Sequence, residues 1–350
     1  MRIRFLTSTP LNIRHGSGTF VGIQTLADAL QGIGVEVSLR APRVHLPVYT
    51  LERLLYNEDL RWERAEPCDA TVGFDMDGYR AAGRRGPHLA SLKGVIADEL
   101  RMQKGMTWAT MAVQARCEAA HVRRADAVVT TSRYSAERAR EAYRLARPPR
   151  IVPELIDLAA WNHCLEENPR LPDPRKFTIL CVCRLYRRKR VNLLLEAAAR
   201  LRKRIPEMEV RVVGDGPERE EFQQVWRALR LQDRVRFLGD LSQAQLAAEY
   251  NGADLFCLPS VQEGFGIVFL EAMAAGKPIV AARAAAVPEV APHGVLVEPD
   301  DAEALAEGIA ELFGSPERRA KLAAAGRAWV RQFDAPNVAR LFLEEVRRVL

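Results

Sequence analysis

The 350-residue sequence predicts an α/β protein built from two doubly wound parallel sheets that face each other across a cleft. Three observations predict it. The chain is too long for one ordinary core, since domains cluster near about 100–150 residues. Short apolar runs of strand length alternate with amphipathic helical stretches, the rhythm of a parallel sheet with crossover helices. Midway, "NHCLEENPRLPDPRK" at 162–176 breaks the rhythm with three prolines and no apolar period, and the rhythm then restarts.

In the first half the strands are "RIRFLT", "VEVSLR", "DATVGF", "HLASL", "DAVVTT" and "RIVP", with helices expected over Phe20–Gly32 and Ala109–Arg123. In the second half strand "FTILCVC" leads to helix Val191–Arg204, "EVRVV" to Glu218–Leu229, and "RVRFLG" to Gln243–Tyr250. Strand "ADLFCL" then leads to helix Ile267–Ala275, followed by "PIVAA" and helices to the end. The polar stretch reads as the interdomain linker. Domain boundaries are therefore expected at 1–163 and 164–334, with a last helical segment 335–350.

Composition narrows the class. Hydrophobic residues make up 48% and charged residues 27%, as in soluble globular proteins. No apolar run reaches the ~18–20 residues of a membrane-spanning helix, and "MRIRFLTSTP" reads as a first strand rather than a signal peptide. The six cysteines form no C-x-x-C pair, the pattern of a reduced, cytoplasmic protein. No His/Cys/carboxylate cluster has metal spacing, so no bound metal is expected. The net charge of +6 is uneven. Residues 1–150 hold 23 Lys/Arg against 16 Asp/Glu, or +7, and residues 151–350 hold 28 against 29, or −1. A basic first half suits an anionic ligand or an acidic membrane surface, or is a solvated arginine-rich face.

In open α/β sheets ligands sit beyond the carboxyl ends of strands, so motifs just after strands matter most. After "ADLFCL" comes "PSVQEGFG", then helix "IVFLEAMAAG". Gly264 and Gly266 permit a sharp turn and close backbone approach. The helix start at Ile267 offers free N–H groups and a positive dipole end, which suit phosphate. Glu271 lies roughly 7.5 Å further along the helix than Gly266, about one sugar ring beyond such a phosphate. Its carboxylate would accept hydrogen bonds from ribose hydroxyls, and Glu263 would do the same for a donor sugar. A carboxylate in so apolar a helix is costly unless bound or paired; the alternative is a partly solvated helix acid. After "FTILCVC", Arg184 and Lys189 would neutralise a diphosphate, whereas Arg187, Arg188 and Arg190 read as a solvated cluster. "VVGDGPE" supplies turn glycines Gly214 and Gly216, a weak signal by itself. "HGSGTFVG" places Gly16 and Gly18 after the first strand, without the G-x-G-x-x-G spacing of a dinucleotide site.

Together these residues resemble the retaining glycosyltransferases of the GT-B fold, family 4. "EGFGIVFLEAMAAGKPIVA" is similar to that family's signature of two glutamates separated by seven residues, and "CRLYRRKRVNLLLEA" to its Arg…Lys diphosphate clamp. "VVGDGPE", "AAVPEV…GVLVEPDDAEALAEGI" and, in the first half, "LADALQGIGVEV" also match. The resemblance covers nearly the whole chain and is most specific over 177–313. It implies a metal-independent, cofactor-free retaining transferase that moves a sugar from a UDP- or GDP-sugar to a hydroxyl acceptor, such as a glycan, a lipid-linked group or a small molecule. Its first domain would bind the acceptor and its second the nucleotide sugar. By the same resemblance Arg184 and Lys189 bind the diphosphate, Glu271 the ribose, Glu263 with the backbone of Phe265 and Gly266 the donor sugar, and Gly18 lines the phosphate side. The last helix would cross back onto the first domain.

The sequence departs from that pattern at three places. "PHLASLKG" puts Lys93 where the family often has a histidine; a lysine is a cationic donor with no acceptor. It is expected either to contact a phosphate or other anionic group, or to reach solvent. "VPELID" keeps Asp157 but has Glu154 and Leu155 where Asn-Gly is common. The first loop reads Ser17-Gly18 where a double glycine is common. Arg133 in "TTSRYSAE" is a further candidate for an acceptor or phosphate contact, or a surface arginine at a helix start. Two other readings stay open. One is an epimerase or hydrolase of sugar nucleotides on the same fold, separable by acceptor dependence. The other is a non-enzymatic binder of anionic ligands, although no basic-aromatic nucleic-acid motif is present. Peripheral contact with the inner face of a membrane is a weaker expectation, since no long basic amphipathic helix is evident.

Overall fold

In the computed structural model the residues described are 1–9, 18–43, 46–63, 67–84 and 86–350. The chain divides into two compact units, Met1–Leu155 with Ala335–Leu350, and Ile156–Asp334.

The first unit holds a six-stranded sheet of β1 (Arg2–Leu6), β2 (Glu36–Arg40), β3 (Ala70–Phe74), β4 (His88–Leu92), β5 (Ala127–Thr130) and β6 (Arg150–Ile151). Their order is β2-β1-β3-β4-β5-β6, and every pairing is parallel. Covered by helices on both faces, the central strands need no polar side: all five residues of β4 are buried. Helix Gly18–Gly32 and the terminal helix Ala335–Arg347 pack on one face. Phe342 of the terminal helix meets Phe5 of β1 edge to face at 6.2 Å, and Val338, Ala339 and Val346 join Ile23 and Leu26 in the same core. The last helix thus belongs to the unit that the chain left at Leu155.

The second unit holds β7 (Phe177–Val182), β8 (Met208–Val213), β9 (Val235–Gly239), β10 (Leu255–Leu258), β11 (Ile279–Ala282) and β12 (Val295–Val297), in the order β12-β11-β10-β7-β8-β9. These pairings are again parallel. The chain begins in the middle, at β7, runs outward through β8 and β9, then returns beside β7 as β10 and runs outward the other way. That reversal makes β7/β10 the topological switch point, where the loops leaving two adjacent strands part and open a crevice. In the first unit β1/β3 is the switch point.

The alternation read from the sequence is present, with helices somewhat longer than expected at Gly18–Gly32 and Gly105–Arg124. The division falls at Leu155/Ile156 rather than at 163/164. Residues 162–167 of the expected linker are helical, within Leu158–Glu167, whose start is capped by the Asp157 carboxylate accepting from the Ala160 N–H. That helix packs on helices Gln243–Asn251 and Ile267–Ala274 of the second unit.

Because Phe342 sits at 1% exposure in the first unit's core, Phe342→Ala should destabilise that unit by about 3–5 kcal/mol. A denaturant titration followed by fluorescence and circular dichroism checks this, and the loss should appear in the transition of the first unit.

Candidate functional site

Of the second half's candidate residues, Arg184 and Lys189 follow β7, Glu263, Phe265, Gly266, Ile267 and Glu271 follow β10, the two strands of the switch point, and Gly214 follows β8. After β7 the chain makes one 3-10 turn, Arg187–Lys189, and Arg190 takes a left-handed conformation (φ 53°) before helix Val191–Leu201 begins. After β10 runs the loop 259–266. The two loops are tied: the Arg188 carbonyl accepts from the Val261 N–H at 2.9 Å and from the Ser260 hydroxyl at 3.2 Å. Across that seam Lys189 Nζ donates to Glu263 Oε1 at 2.5 Å, with side chains only 12% and 7% exposed.

Gly266 closes the loop and caps helix Ile267–Ala274 with φ 95°, a backbone state that side-chain-bearing residues rarely adopt. A Cβ there would also lie 2.7 Å from the Phe269 ring. Phe265 points its ring into the core, edge to face with Phe333 at 5.5 Å, so only its backbone is offered to the site. Phe269, Leu270, Ala272 and Met273 take the buried side of the helix, which leaves Ile267 and Glu271, one turn apart, on the half-buried side. Glu271 Oε2 accepts from the Tyr250 hydroxyl at 3.0 Å. Dense surroundings push its carboxyl up to about 7, only partly offset by the Tyr250 hydrogen bond. This carboxylate is therefore held at a cost that a hydroxyl-bearing ligand would relieve.

Arg184 is positioned by glycines. Gly214 (φ 112°) lies so close to the end of β7 that a Cβ would sit 2.0 Å from the Cys183 carbonyl, and at Gly216 one would sit 2.6 Å from that of Leu185. The Leu185 N–H donates to the Asp215 carbonyl, and the Glu218 N–H to the Leu185 carbonyl, both at 3.0 Å. Gly214 thus builds the wall of the site. Arg184 stays partly exposed (38%) and meets Asp240 at 3.7 Å, a loose surface pair that a stronger anion can replace. Of the cluster expected to be solvated, Arg187 is exposed and pairs with Glu221, whereas Arg190 is largely covered and pairs with Asp300, and Arg188 lies half-buried over the Tyr186 ring.

In the first unit, Gly16 lies outside the described residues and Gly18 is the first residue of helix Gly18–Gly32. Arg133 is exposed at the first position of helix Arg133–Tyr143, which Ser132 caps. Lys93 does not reach solvent. Its Nζ donates to Glu154 Oε2 at 2.9 Å, both side chains are 5% exposed, and the ammonium stands 5.9 Å from the Phe74 ring centre. Two of the positions that depart from the family pattern, 93 and 154, are thus partners. Sequence reasoning missed Glu154, Tyr250 and Asp240, because each acts through a partner 61, 21 or 56 positions away and carries no motif of its own. It also missed a buried network at the β1/β3 switch point. There Asp77, fully buried, accepts from the Ser8 N–H at 2.6 Å, the Ser8 hydroxyl at 2.7 Å and the Asn57 amide at 3.2 Å, and pairs with Arg53 at 3.3 Å.

The two parallel six-stranded sheets are those of the GT-B fold, and the second carries cations, carboxylates and a helix start after its switch-point strands. Residues 166–329 match the family model of glycosyl transferases group 1. The chain is 29% identical over 328 residues to the GDP-mannose-dependent alpha-(1-6)-phosphatidylinositol monomannoside mannosyltransferase of Mycobacterium tuberculosis, covering 88% of this chain and 82% of the relative. The enzyme of the same name from Mycolicibacterium smegmatis is 30% identical over 59% of this chain and 57% of its own length. Sucrose-phosphate synthase of Thermosynechococcus elongatus superposes with a TM-score of 0.81 over 99% of this chain and 98% of that one; at 22% identity this likeness shows the fold. The family model and both mycobacterial relatives are named for glycosyl transfer.

Removing one member of the buried Lys93–Glu154 pair leaves the other unpaired, so Lys93→Ala should cost about 3–5 kcal/mol of the first unit's stability. The double variant Lys93→Met/Glu154→Met should recover most of that loss. Denaturant midpoints of the three proteins decide it.

Proposed function

We propose that the chain is a metal-independent, retaining glycosyltransferase that moves a sugar from a nucleotide-diphosphate sugar to a hydroxyl acceptor. The observation that carries the reading is the Lys189–Glu263 pair, which fixes an ammonium and a carboxylate together at the switch point, beside a helix start. An ammonium has three donors. With one on Glu263, two remain for a diphosphate, and the Arg184 guanidinium adds a bidentate contact. Charge grows on the leaving diphosphate as the sugar departs, and fixed cations and helix N–H groups stabilise that charge most where water is excluded. Glu263 and the backbone at Phe265 and Gly266 hold the donor sugar, the Ile267 N–H faces the phosphates, and Glu271 holds the ribose. The chain's own cations meet the diphosphate, so the reading invokes no cofactor beyond the donor.

The mycobacterial relatives are named for GDP-mannose and a phosphatidylinositol mannoside. Those names support a guanine nucleotide donor and a lipid-linked hydroxyl acceptor, with the chain working peripherally at a membrane's cytoplasmic face. No helix among the described residues is long and apolar enough to cross a membrane. Apolar side chains do stand exposed along helix Tyr49–Trp62, at Leu51, Leu55 and Trp62.

Calorimetric titration with GDP, UDP and ADP should find one nucleotide binding at about micromolar strength, roughly −8 kcal/mol. Arg184→Ala should weaken it by about 1.5–3 kcal/mol. A folded sample that binds none of the three refutes the reading, and full turnover without any acceptor would point to a hydrolase or epimerase instead.

A pH dependence follows from Glu271. Its folded value, about 7, lies above the ordinary 4.5. Its contribution to folding is therefore full below about 4.5 and lost as pH rises through about 7. A ribose that donates to the carboxylate needs the charged form. Nucleotide affinity should rise between about pH 6 and pH 8 and then level off. Glu271→Gln should remove that part of the rise, measured by the same titration at several pH values against the parent protein.

A further inference from the structure

A second cationic hollow lies in the first unit, lined by none of the residues assigned to the donor. It encloses about 370 Å³ and is lined by Arg61, Arg80, Ala82, Gly83, Arg84 and Arg124. Arg61 comes from the last turn of helix Tyr49–Trp62, and Arg124 is the last residue of helix Gly105–Arg124. Arg80 and Arg84 lie on the turns that bring the chain back from the end of β3 to the start of β4. Arg84 and Arg124 stand just before β4 and β5, at the amino-terminal edge of the sheet. The residues after the carboxyl ends of β3 and β4, Asp75, Asp77 and Lys93, lie at the opposite edge.

Among the described residues the charges there do not balance. Glu58 meets Arg80, and meets Arg61 at 3.8 Å. Neighbouring carboxylates are taken by other arginines, Asp59 by Arg40 and Glu63 by Arg4, Arg40 and Arg43. Arg124 donates to a neutral group, the Tyr79 carbonyl, at 3.0 Å. Arg84 is exposed, and its side chain meets no partner among the described residues. Arg80 Nε is buried and has no hydrogen-bond partner, although its guanidinium stacks 5.1 Å from the Tyr79 ring. Four guanidiniums around one concavity repel one another, and each presents a planar fork of donors. A tetrahedral phosphate oxyanion carrying one or two charges answers both conditions, because arginine binds phosphate with paired, charge-assisted hydrogen bonds.

We propose that this hollow is a binding site for a phosphate group, built by residues other than those of the donor site and placed at the amino-terminal edge of the first unit's sheet. Arg80, Arg84 and Arg124 hold the phosphate and Arg61 closes the rim. The exposed Trp62, stacked 4.9 Å from the Arg61 guanidinium, lies beside that rim. The phosphate could be carried by a soluble ligand or by a lipid headgroup.

The experiment uses the full chain, and Arg84→Glu and Arg84→Ala beside it. Inorganic phosphate is titrated by calorimetry. In parallel, each protein is co-sedimented at low salt with vesicles of phosphatidylcholine alone and of phosphatidylcholine and phosphatidylglycerol in equal parts. The Arg84 side chain makes no hydrogen bond or ion pair among the described residues, so both variants should fold and bind the donor nucleotide as the parent does. Phosphate bound at the donor site is common to all three proteins and cancels. A loss of about tenfold or more in phosphate affinity, with vesicle binding unchanged, assigns a soluble phosphorylated ligand. The same loss confined to the anionic vesicles assigns a headgroup. Equal binding by parent and both variants in both arms overturns the proposal, whether or not the donor reading survives.

Discussion

The candidate site depends on one ion pair. Lys189 and Glu263 belong to loops that leave adjacent parallel strands in opposite directions, so nothing in the sheet itself holds those loops together. The buried pair does, helped by the two hydrogen bonds that the Arg188 carbonyl accepts from the opposite loop. A buried ion pair adds little net stability, because desolvation offsets most of the Coulombic gain. Its value is positional. It fixes an ammonium with donors to spare next to a helix start, which a pair of apolar side chains of the same volume could not do.

Backbone constraints supply the rest. Gly214 and Gly216 let the β8 loop lie directly on the residues after β7, and that contact sets where Arg184 emerges. Gly266 takes the left-handed turn that aims helix Ile267–Ala274 at the crevice and leaves Glu271 on its half-buried side. The first unit meets the same topological problem with a different device. Its β1/β3 switch point is joined by a single buried carboxylate, Asp77, which gathers Ser8, Asn57 and Arg53. In both units a charged group ties together loops that the sheet cannot.

Much of this was legible in the sequence, for identifiable reasons. Buried parallel strands such as "FTILCV" and "HLASL" are continuous apolar runs, and the glycines and charged residues that follow them mark strand ends. Glu263, Glu271, Arg184 and Lys189 could be named because they lie within short motifs. What was not legible is pairing over distance. Nothing local links Lys93 to Glu154 or Glu271 to Tyr250; only the strand order brings them together. Residues 162–167 of helix Leu158–Glu167 read as linker because they are mostly polar and carry no apolar period of their own; the helix is anchored by Trp161, just before that stretch. The arginine hollow draws on three separate segments, so no window of sequence contains it.

The central claim is that Lys189 and Glu263 act on the donor as one unit. A double-mutant cycle tests it most directly: affinity for the intact nucleotide sugar is measured in the parent, Lys189→Met, Glu263→Gln and the double variant. The account predicts a coupling of at least about 1 kcal/mol between the two positions, within the range seen for residues in direct contact. Strict additivity, with each variant losing affinity independently, would contradict it.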